Sequence, residues 1–240
     1  MTDDIILNLY NKKLKPWIKK YYKPLIVILL YLLYMTNFLS SILSVFGLKL
    51  HKLPRYIRIS FLVINDLIYI IALFLLYRKE IKEGIKKFKK DKINNINLSL
   101  KCWIVGSIIM ALSTFIINLI TKQNLSANEE AVRESIKLAP LFMLFEASIL
   151  APLFEELVFR RSIRYFIKRK WLYVLASGIS FGLLHVLGSP NLASYLFIIP
   201  YSAMGCCFAY LYYKTDNITL PMGTHMLHNF ILVLMQIIRG

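Results

Sequence analysis

Cysteine is scarce in this 240-residue sequence, which contains only three: Cys102, Cys206 and Cys207. All three fall inside or at the edge of apolar segments and show none of the spacings typical of a metal site. The two neighbours would also point in different directions on a helix. The cysteines are therefore predicted to be small core residues, and they do not indicate redox chemistry.

Acidic residues are also few. Asp and Glu number 13 against 30 Lys and Arg, so the formal net charge at pH 7 is +17. A charge of this size can indicate nucleic-acid binding, but the sequence lacks a basic folded domain that would carry it. The basic residues lie mainly in short segments between apolar runs. This pattern indicates topology signals and anionic lipids as partners, and no nucleic acid.

Apolar residues make up 58% of the chain and form several long uncharged runs. Such runs exclude an ordinary soluble domain and predict an all-α, polytopic membrane helical bundle with about seven transmembrane helices. The predicted spans are 24–47, 59–77, 102–120, 138 to about 158, 171–187, 192–213 and 218–238. Most have the roughly 20 residues that cross the hydrocarbon core, although polar groups interrupt the fourth and fifth.

Three regions are predicted along the chain. Residues 1–23 form a basic amphipathic arm, which lacks the apolar core and cleavage site of a signal peptide and is expected to stay in the cytoplasm. Residues 24–137 contain the N-terminal transmembrane helices and a basic loop. Residues 138–240 form the transmembrane core that carries the candidate site.

The distribution of charge predicts the orientation in a cell membrane. Segment 78–101 contains nine Lys or Arg against three acids, and segment 160–170 contains six basic residues and no acid. Segment 121–137 is balanced, and 188–191 carries no charge. With seven spans, the N-terminus and the basic segments are expected in the cytoplasm. A short loop with Lys or Arg at 49, 52, 55 and 58 does not fit this orientation.

Two adjacent carboxylates, Glu155 and Glu156, end an apolar run, and Arg160 follows in the next turn. Charges in an apolar setting are costly and are usually paired or retained for function. Glu156 lies at i, i+4 from Arg160 and can form an ion pair with it, which by itself is more often structural than catalytic. Glu155 is then the freer carboxylate and the candidate general base.

Two later helices carry polar pairs at i, i+4, namely Phe181 with His185 and His225 with Asn229. Each pair lies on one helix face. His185 is expected to share a water with the freer carboxylate, while His225 and Asn229 donate hydrogen bonds to the oxyanion formed when that water attacks a carbonyl. A single membrane histidine can instead be satisfied by a backbone carbonyl. His228, three residues after His225, remains an alternative.

Zinc is a possible cofactor, because two histidines and one or two carboxylates are enough ligands for a catalytic zinc ion. The sequence has no HExxH segment, so this signal is not specific. Glu146 and Asp66 are further acids inside apolar runs. We leave Glu146 out because nine residues turn it to roughly the opposite helix face from Glu155, and Asp66 because its span contains no other acid or histidine.

The segments PLFEELVFR, SFGLLH and THMLHN resemble the three motifs of the CPBP intramembrane protease family, which includes CAAX prenyl endopeptidases and bacteriocin-immunity proteins and is also called the Abi family. The motifs are Glu-Glu-x-x-x-Arg, Phe-x-x-x-His and His-x-x-x-Asn, in the family's order. The resemblance covers residues 138 to the end, less than half of the chain. Arg161 departs from the pattern, since family members usually have Gly there.

The resemblance implies a glutamate-dependent endopeptidase that cleaves a peptide or membrane-protein substrate near the cytoplasmic side of a bacterial membrane. Glu155 with His185 would activate water, Glu156 and Arg160 would support the site, and the third motif would form the oxyanion hole. The competing function is a non-hydrolytic membrane binding protein or a bacteriocin self-immunity protein. An ion or proton transporter is a weaker alternative, because no broken-helix repeat is evident.

Overall fold

Helices form almost all of the chain in the computed structural model, which describes residue 12 and residues 14–239. In chain order the helices are α1 (Lys15–Met35), α2 (Phe38–Val45), α3 (Arg55–Lys90), α4 (Lys92–Thr121), α5 (Ala127–Leu138), α6 (Pro140–Phe145), α7 (Ala151–Glu155), α8 (Ile163–Phe166), α9 (Lys170–Val186), α10 (Ile198–Thr215) and α11 (Thr219–Arg239). No strand occurs among these described residues. The predicted all-α class is confirmed.

Within the described part of the chain, three helical stretches are long and apolar enough to cross a membrane: Arg55–Lys90, Lys92–Thr121 and Ala193–Thr215. Helices α1 and α2 meet the same test together, with a bend of 56° between them, and would make a fourth span. The other predicted spans coincide with helices that are shorter, interrupted or less apolar, such as the 17 residues of α9. The membrane class is thus confirmed, and the number of seven spans stays a prediction.

The predicted N-terminal arm falls partly outside the described residues, since residues 1–11 and 13 are not among them. From Lys15 onward the chain is helical, and α1 continues without a break through Pro24 into the first apolar run. The basic part of the arm that the structure describes is therefore the first turns of the spanning helix.

An aromatic cluster ties the N-terminal helices to the segment with the paired carboxylates. Phe154 is fully buried in α7, immediately before the carboxylates. Its ring lies 5.8 Å from Tyr31 and 5.1 Å from Tyr34 of α1, and 5.6 Å from Tyr69 of α3, measured between ring centroids. Aromatic pairs at these distances add stability beyond the area they bury. The first helices thus form one wall of the candidate site.

The basic segments of the chain meet at one end of the bundle, here called the basic end. Glu80 of α3 accepts from Lys23 Nζ of α1 at 3.0 Å and from Arg161 Nε at 2.6 Å. Asn217, in the turn between α10 and α11, donates from Nδ2 to the carbonyl oxygen of Gly84 at 2.9 Å. Arg161, which departs from the family pattern, therefore has a specific partner in this chain.

We expect Glu80→Gln to lower the free energy of unfolding by about 1 kcal/mol, because it removes the charge shared by Lys23 and Arg161 in a partly buried network. Thermal unfolding of the purified protein in detergent measures this change. Glu83→Gln is the control, since Glu83 is exposed on the same helix, and surface changes of this kind stay within about ±0.5 kcal/mol. Equal effects of the two substitutions would contradict a special role for Glu80.

The opposite end, here called the α5 end, is held by polar side chains and a small apolar cluster. Ser126 Oγ, at the N-terminus of α5, lies 2.7 Å from the hydroxyl of Tyr201 in α10. Ile136 of α5 packs with Met143 of α6 and Val233 of α11. Helix α5 is therefore fixed across the ends of α6, α10 and α11.

Helices α9 and α10 approach closely because glycines face the contact. A Cβ atom on Gly182 would lie 2.8 Å from both the Ile198 carbonyl oxygen and the Ser202 amide nitrogen. One on Gly178 would lie 2.8 Å from the amide nitrogen of Cys206. Gly178 and Gly182 form a GxxxG pattern, which is typical of close helix contacts in membranes. The sequence thus contains a packing signal that the predicted spans did not use.

We expect Gly182→Ala to lower the free energy of unfolding by about 1–3 kcal/mol, because backbone atoms of α10 cannot yield to the added methyl group. Gly223→Ala is the matched control: Gly223 also lies inside a helix, α11, but no atom lies within 4 Å of the position that its methyl group would take. That control should equal or exceed wild type by about 0.5–1 kcal/mol. A Gly182→Ala protein that unfolds at the wild-type temperature would disprove the close contact.

Candidate active site

The segment that carries the paired carboxylates is a helix with two wide turns. Between α6 and α8, residues Glu146–Leu150 and Glu156–Ser162 form π-helical segments. Such wide turns are rare and occur frequently at functional sites. In the first of them, the Ala151 amide donates to the Glu146 carbonyl instead of to that of Ala147. Pro152 has no amide hydrogen to offer in its place.

Asn229 of α11 satisfies the backbone oxygen that this wide turn leaves without a partner. Its Nδ2 donates to the carbonyl oxygen of Ala147 at 2.8 Å. An amide group carries two N–H donors. One hydrogen of Asn229 therefore fixes α11 against the wide turn, and the second is available for a ligand.

Glu156 and Arg160 form the ion pair that their spacing predicts, and both side chains are fully buried. Arg160 Nε lies 3.0 Å from Glu156 Oε2, although its N–H does not point along that line. The guanidinium also lies 4.6 Å from the centre of the Phe181 ring and donates from Nη1 to Ser177 Oγ at 3.4 Å. Helix α9, which carries Ser177 and Phe181, therefore contacts the ion pair.

Glu156 also fixes the orientation of His225. Its Oε1 accepts a hydrogen bond from His225 Nδ1 at 2.9 Å. Because Nδ1 carries the proton, Nε2 of the neutral ring holds a lone pair. This Nε2 lies 3.7 Å from Glu155 Oε2, too long for a direct hydrogen bond and suitable for a bridging water. The arrangement joins both carboxylates to one imidazole.

His185 is held in a defined tautomer as well. Its Nδ1 donates to the carbonyl oxygen of Phe181, one turn earlier in α9, at 2.9 Å. The ring stacks on Tyr201 with centroids 4.4 Å apart and an interplanar angle of 25°. The alternative expected from the sequence, a histidine satisfied by a backbone carbonyl, therefore applies to Nδ1 of His185. The neutral ring keeps a lone pair on Nε2 for another partner.

A cavity of about 630 Å³ brings the predicted residues together. Four of the six line it: Glu155, His185, His225 and Asn229. Glu156 and Arg160 lie behind its wall, where they contact lining residues from the buried side. His228 also lines the cavity, but its Nδ1 accepts from Trp103 Nε1 at 3.1 Å. The roles assigned to these residues stay predictions.

Glu146 was left out of the predicted site, and the reason for leaving it out was wrong. It lines the same cavity as Glu155, although regular helix geometry would turn it to the opposite face. The π-helical turn that begins at Glu146 rotates less per residue than an α-helix, so the nine-residue spacing no longer gives a half turn. Its Oε1 accepts from the hydroxyl of Tyr34 at 2.6 Å. Asp66 does not line the cavity.

Tyr31 is a second lining residue that the sequence did not indicate. Its ring is buried and lines the cavity. Buried tyrosine hydroxyls usually find a partner. The position of Tyr31 on the cavity wall makes this hydroxyl a donor available to a ligand. No periodic or motif signal in the first span marks it.

The donors present do not fit a zinc site of the predicted kind. Among residues 14–239, no group of three or more His, Cys, Asp or Glu side chains is placed to hold a metal ion. Both oxygens of Glu156 already face partners within the protein, so this carboxylate is not free to bind a metal ion. We therefore derive no step through a metal.

Comparisons with known proteins give a consistent result. A family model described as "Type II CAAX prenyl endopeptidase Rce1-like" matches residues 137–231. The chain is 30% identical over 183 residues to "Putative membrane peptidase YdiL" of Bacillus subtilis (strain 168), covering 73% of this chain and 70% of that protein. It is 27% identical over 199 residues to "Membrane-embedded CAAX protease MroQ" of Staphylococcus aureus (strain USA300), covering 80% and 78%. No solved structure matches it significantly.

Proposed function

Because this chain belongs to the Rce1-like CAAX prenyl endopeptidase family, as its three motifs predicted, we propose that it is an intramembrane endopeptidase. It would hydrolyse a peptide or membrane-protein substrate through a water molecule activated by Glu155 and His185. The observation that carries the proposal is the setting of Glu155. This carboxylate is buried, lines the cavity and lies beside the imidazole of His225, whose orientation is fixed by its hydrogen bond to Glu156.

Hydrolysis assigns one task to each lining group. Glu155 takes a proton from the water, whose oxygen attacks the carbonyl carbon of the scissile peptide bond. The tetrahedral intermediate then collapses, the C–N bond breaks, and the leaving nitrogen takes the proton that Glu155 holds. His185, with its Nε2 lone pair, orients the water. The second amide hydrogen of Asn229 donates to the oxyanion.

His225 joins the oxyanion hole only in its protonated form, since the neutral ring has no hydrogen on Nε2. Glu156 accepts the Nδ1 hydrogen and so fixes the direction in which Nε2 points. Arg160 balances the charge of Glu156 in turn. These two residues are positioning residues in the proposal, because neither lines the cavity.

The substrate is a peptide or a segment of a membrane protein, which has to adopt an extended form to expose its backbone to Glu155. The cavity wall is mostly apolar, with aromatic side chains from α1, α4 and α10 that include Tyr31, Trp103 and Tyr201. Such a wall suits apolar side chains flanking the cleaved bond. We expect prenylated substrates to be less important in a bacterial membrane.

The test is a mass-spectrometric comparison of new peptide termini in membranes from cells that express wild type or Glu155→Gln at equal levels. We expect termini that depend on the intact carboxylate, and these also identify substrates. If wild type produces a cellular effect and no new termini, the hydrolytic function is refuted and non-hydrolytic binding or self-immunity takes its place.

A further inference from the structure

The active-site cavity extends from Glu155 to one end of the bundle. Its lining includes Met35 at the end of α1, Asn128 at the start of α5 and Arg239 at the end of α11. All three belong to the α5 end and are exposed. Glu155 and His225, at the other extreme of the cavity, are buried. The cavity is therefore a passage from the α5 end to the carboxylate.

The basic end contributes nothing to this passage. No residue of segments 78–101 or 160–170 lines the cavity, nor does Lys23. Instead, the Glu80 network and the Asn217 bond to Gly84 close that end. The Glu156–Arg160 pair fills the space between the catalytic carboxylate and the basic end. The lining of the cavity that contains Glu155 therefore does not extend to the basic end.

The charge bias then sets the side of the membrane. Lys and Arg mark the cytoplasmic side. They are concentrated at the basic end, with nine in segment 78–101 and six in segment 160–170, against four at positions 49, 52, 55 and 58 toward the opposite end. We propose that the cavity opens on the extracytoplasmic face. Its substrates would be peptide segments exposed there, namely parts of exported peptides or outer segments of membrane proteins. The substrate class rests on the proposed function, while the side of opening does not.

The chemistry of the opening agrees with a peptide that enters from water. At the α5 end the lining includes polar groups, namely Asn128, Gln236, Arg239 and the ion pair of Arg133 Nη2 with Glu129 Oε1 at 2.6 Å. Such groups can hydrogen-bond the backbone of an extended chain. The family resemblance implied a site near the cytoplasmic side. In this proposal, that expectation applies to the depth of Glu155 in the membrane and not to the route by which a substrate reaches it.

Cysteine labelling in intact cells tests the side of opening. The variants are Asn128→Cys at the rim and Val132→Cys, whose side chain lines the cavity. Lys86→Cys, exposed at the basic end, is the matched control. Wild type gives the background from its three native cysteines. We expect a membrane-impermeant maleimide to label both α5 variants without permeabilisation, and Lys86→Cys only after it.

Two results would overturn the proposal. Labelling of Asn128→Cys only after permeabilisation would reverse the orientation, and a rim that labels while Val132→Cys resists in both conditions would show that the cavity is closed on that side. Neither result depends on proteolysis. If labelling succeeds but the wild-type-dependent termini lie in cytoplasmic segments, only the substrate class is refuted. Absence of any such termini would instead refute the proposed function.

Discussion

Glu155→Gln lowers the rate of peptide cleavage by about 10²–10⁴-fold, the usual contribution of a general base. The amide is nearly isosteric with the carboxylate but cannot take a proton from water. The measurement uses purified protein in detergent and a synthetic quenched peptide that spans a cleavage position found in the terminus comparison. We expect the effect in kcat, because the Glu155 proton transfer occurs in the transition state.

Glu146→Gln is the matched control for this substitution. Glu146 is an acid on the same cavity wall, but its Oε1 is engaged by the Tyr34 hydroxyl and it lies two turns from the catalytic pair. We expect a rate within a few-fold of wild type. Full activity of the Glu155→Gln protein would refute the role of this residue as general base. Equal losses of activity in both variants would indicate a general effect of charge in the cavity.

Arg160→Met is expected to lower the free energy of unfolding by about 3–5 kcal/mol, because it leaves the Glu156 carboxylate buried without its cation. Both members of the pair are completely buried, so water cannot compensate. The substitution also removes the contact of the guanidinium with Phe181. Thermal unfolding in detergent and the yield of folded protein measure the loss.

Two further variants separate the ion pair from a general loss of packing. Arg169→Met replaces an exposed arginine in the same basic segment and should change stability by no more than about 0.5 kcal/mol. The double variant Glu156→Gln with Arg160→Met contains no isolated charge. It should recover part of the lost stability, because breaking a pair costs more than removing it. A double variant as unstable as the single one would argue that packing dominates.

The local parts of the candidate site were readable in the sequence. An i, i+4 spacing brings Glu156 to Arg160 on almost any helix, and the ion pair is present even though a wide turn contains it. The same spacing explains why Phe181 and His185 lie together, with ring centroids 4.5 Å apart. Long apolar runs, together with the Lys and Arg between them, were enough to predict an all-α membrane protein. These features depend only on neighbours along the chain.

The remaining parts depend on contacts between distant segments and could not be predicted. A proline marks a disturbance, but not how far the helix rotates around it, so Glu146 was assigned to the wrong face. Tyr31 reaches the cavity because α1 packs on Phe154, a contact between residues more than a hundred positions apart.

The sequence by itself determined the membrane class, the family and the chemistry available, because composition and short spacings suffice for these. Only the tertiary structure decided which groups share the cavity and at which end it opens. Both are set by how α1, α5 and α11 pack around the wide turns, and no local pattern encodes that arrangement.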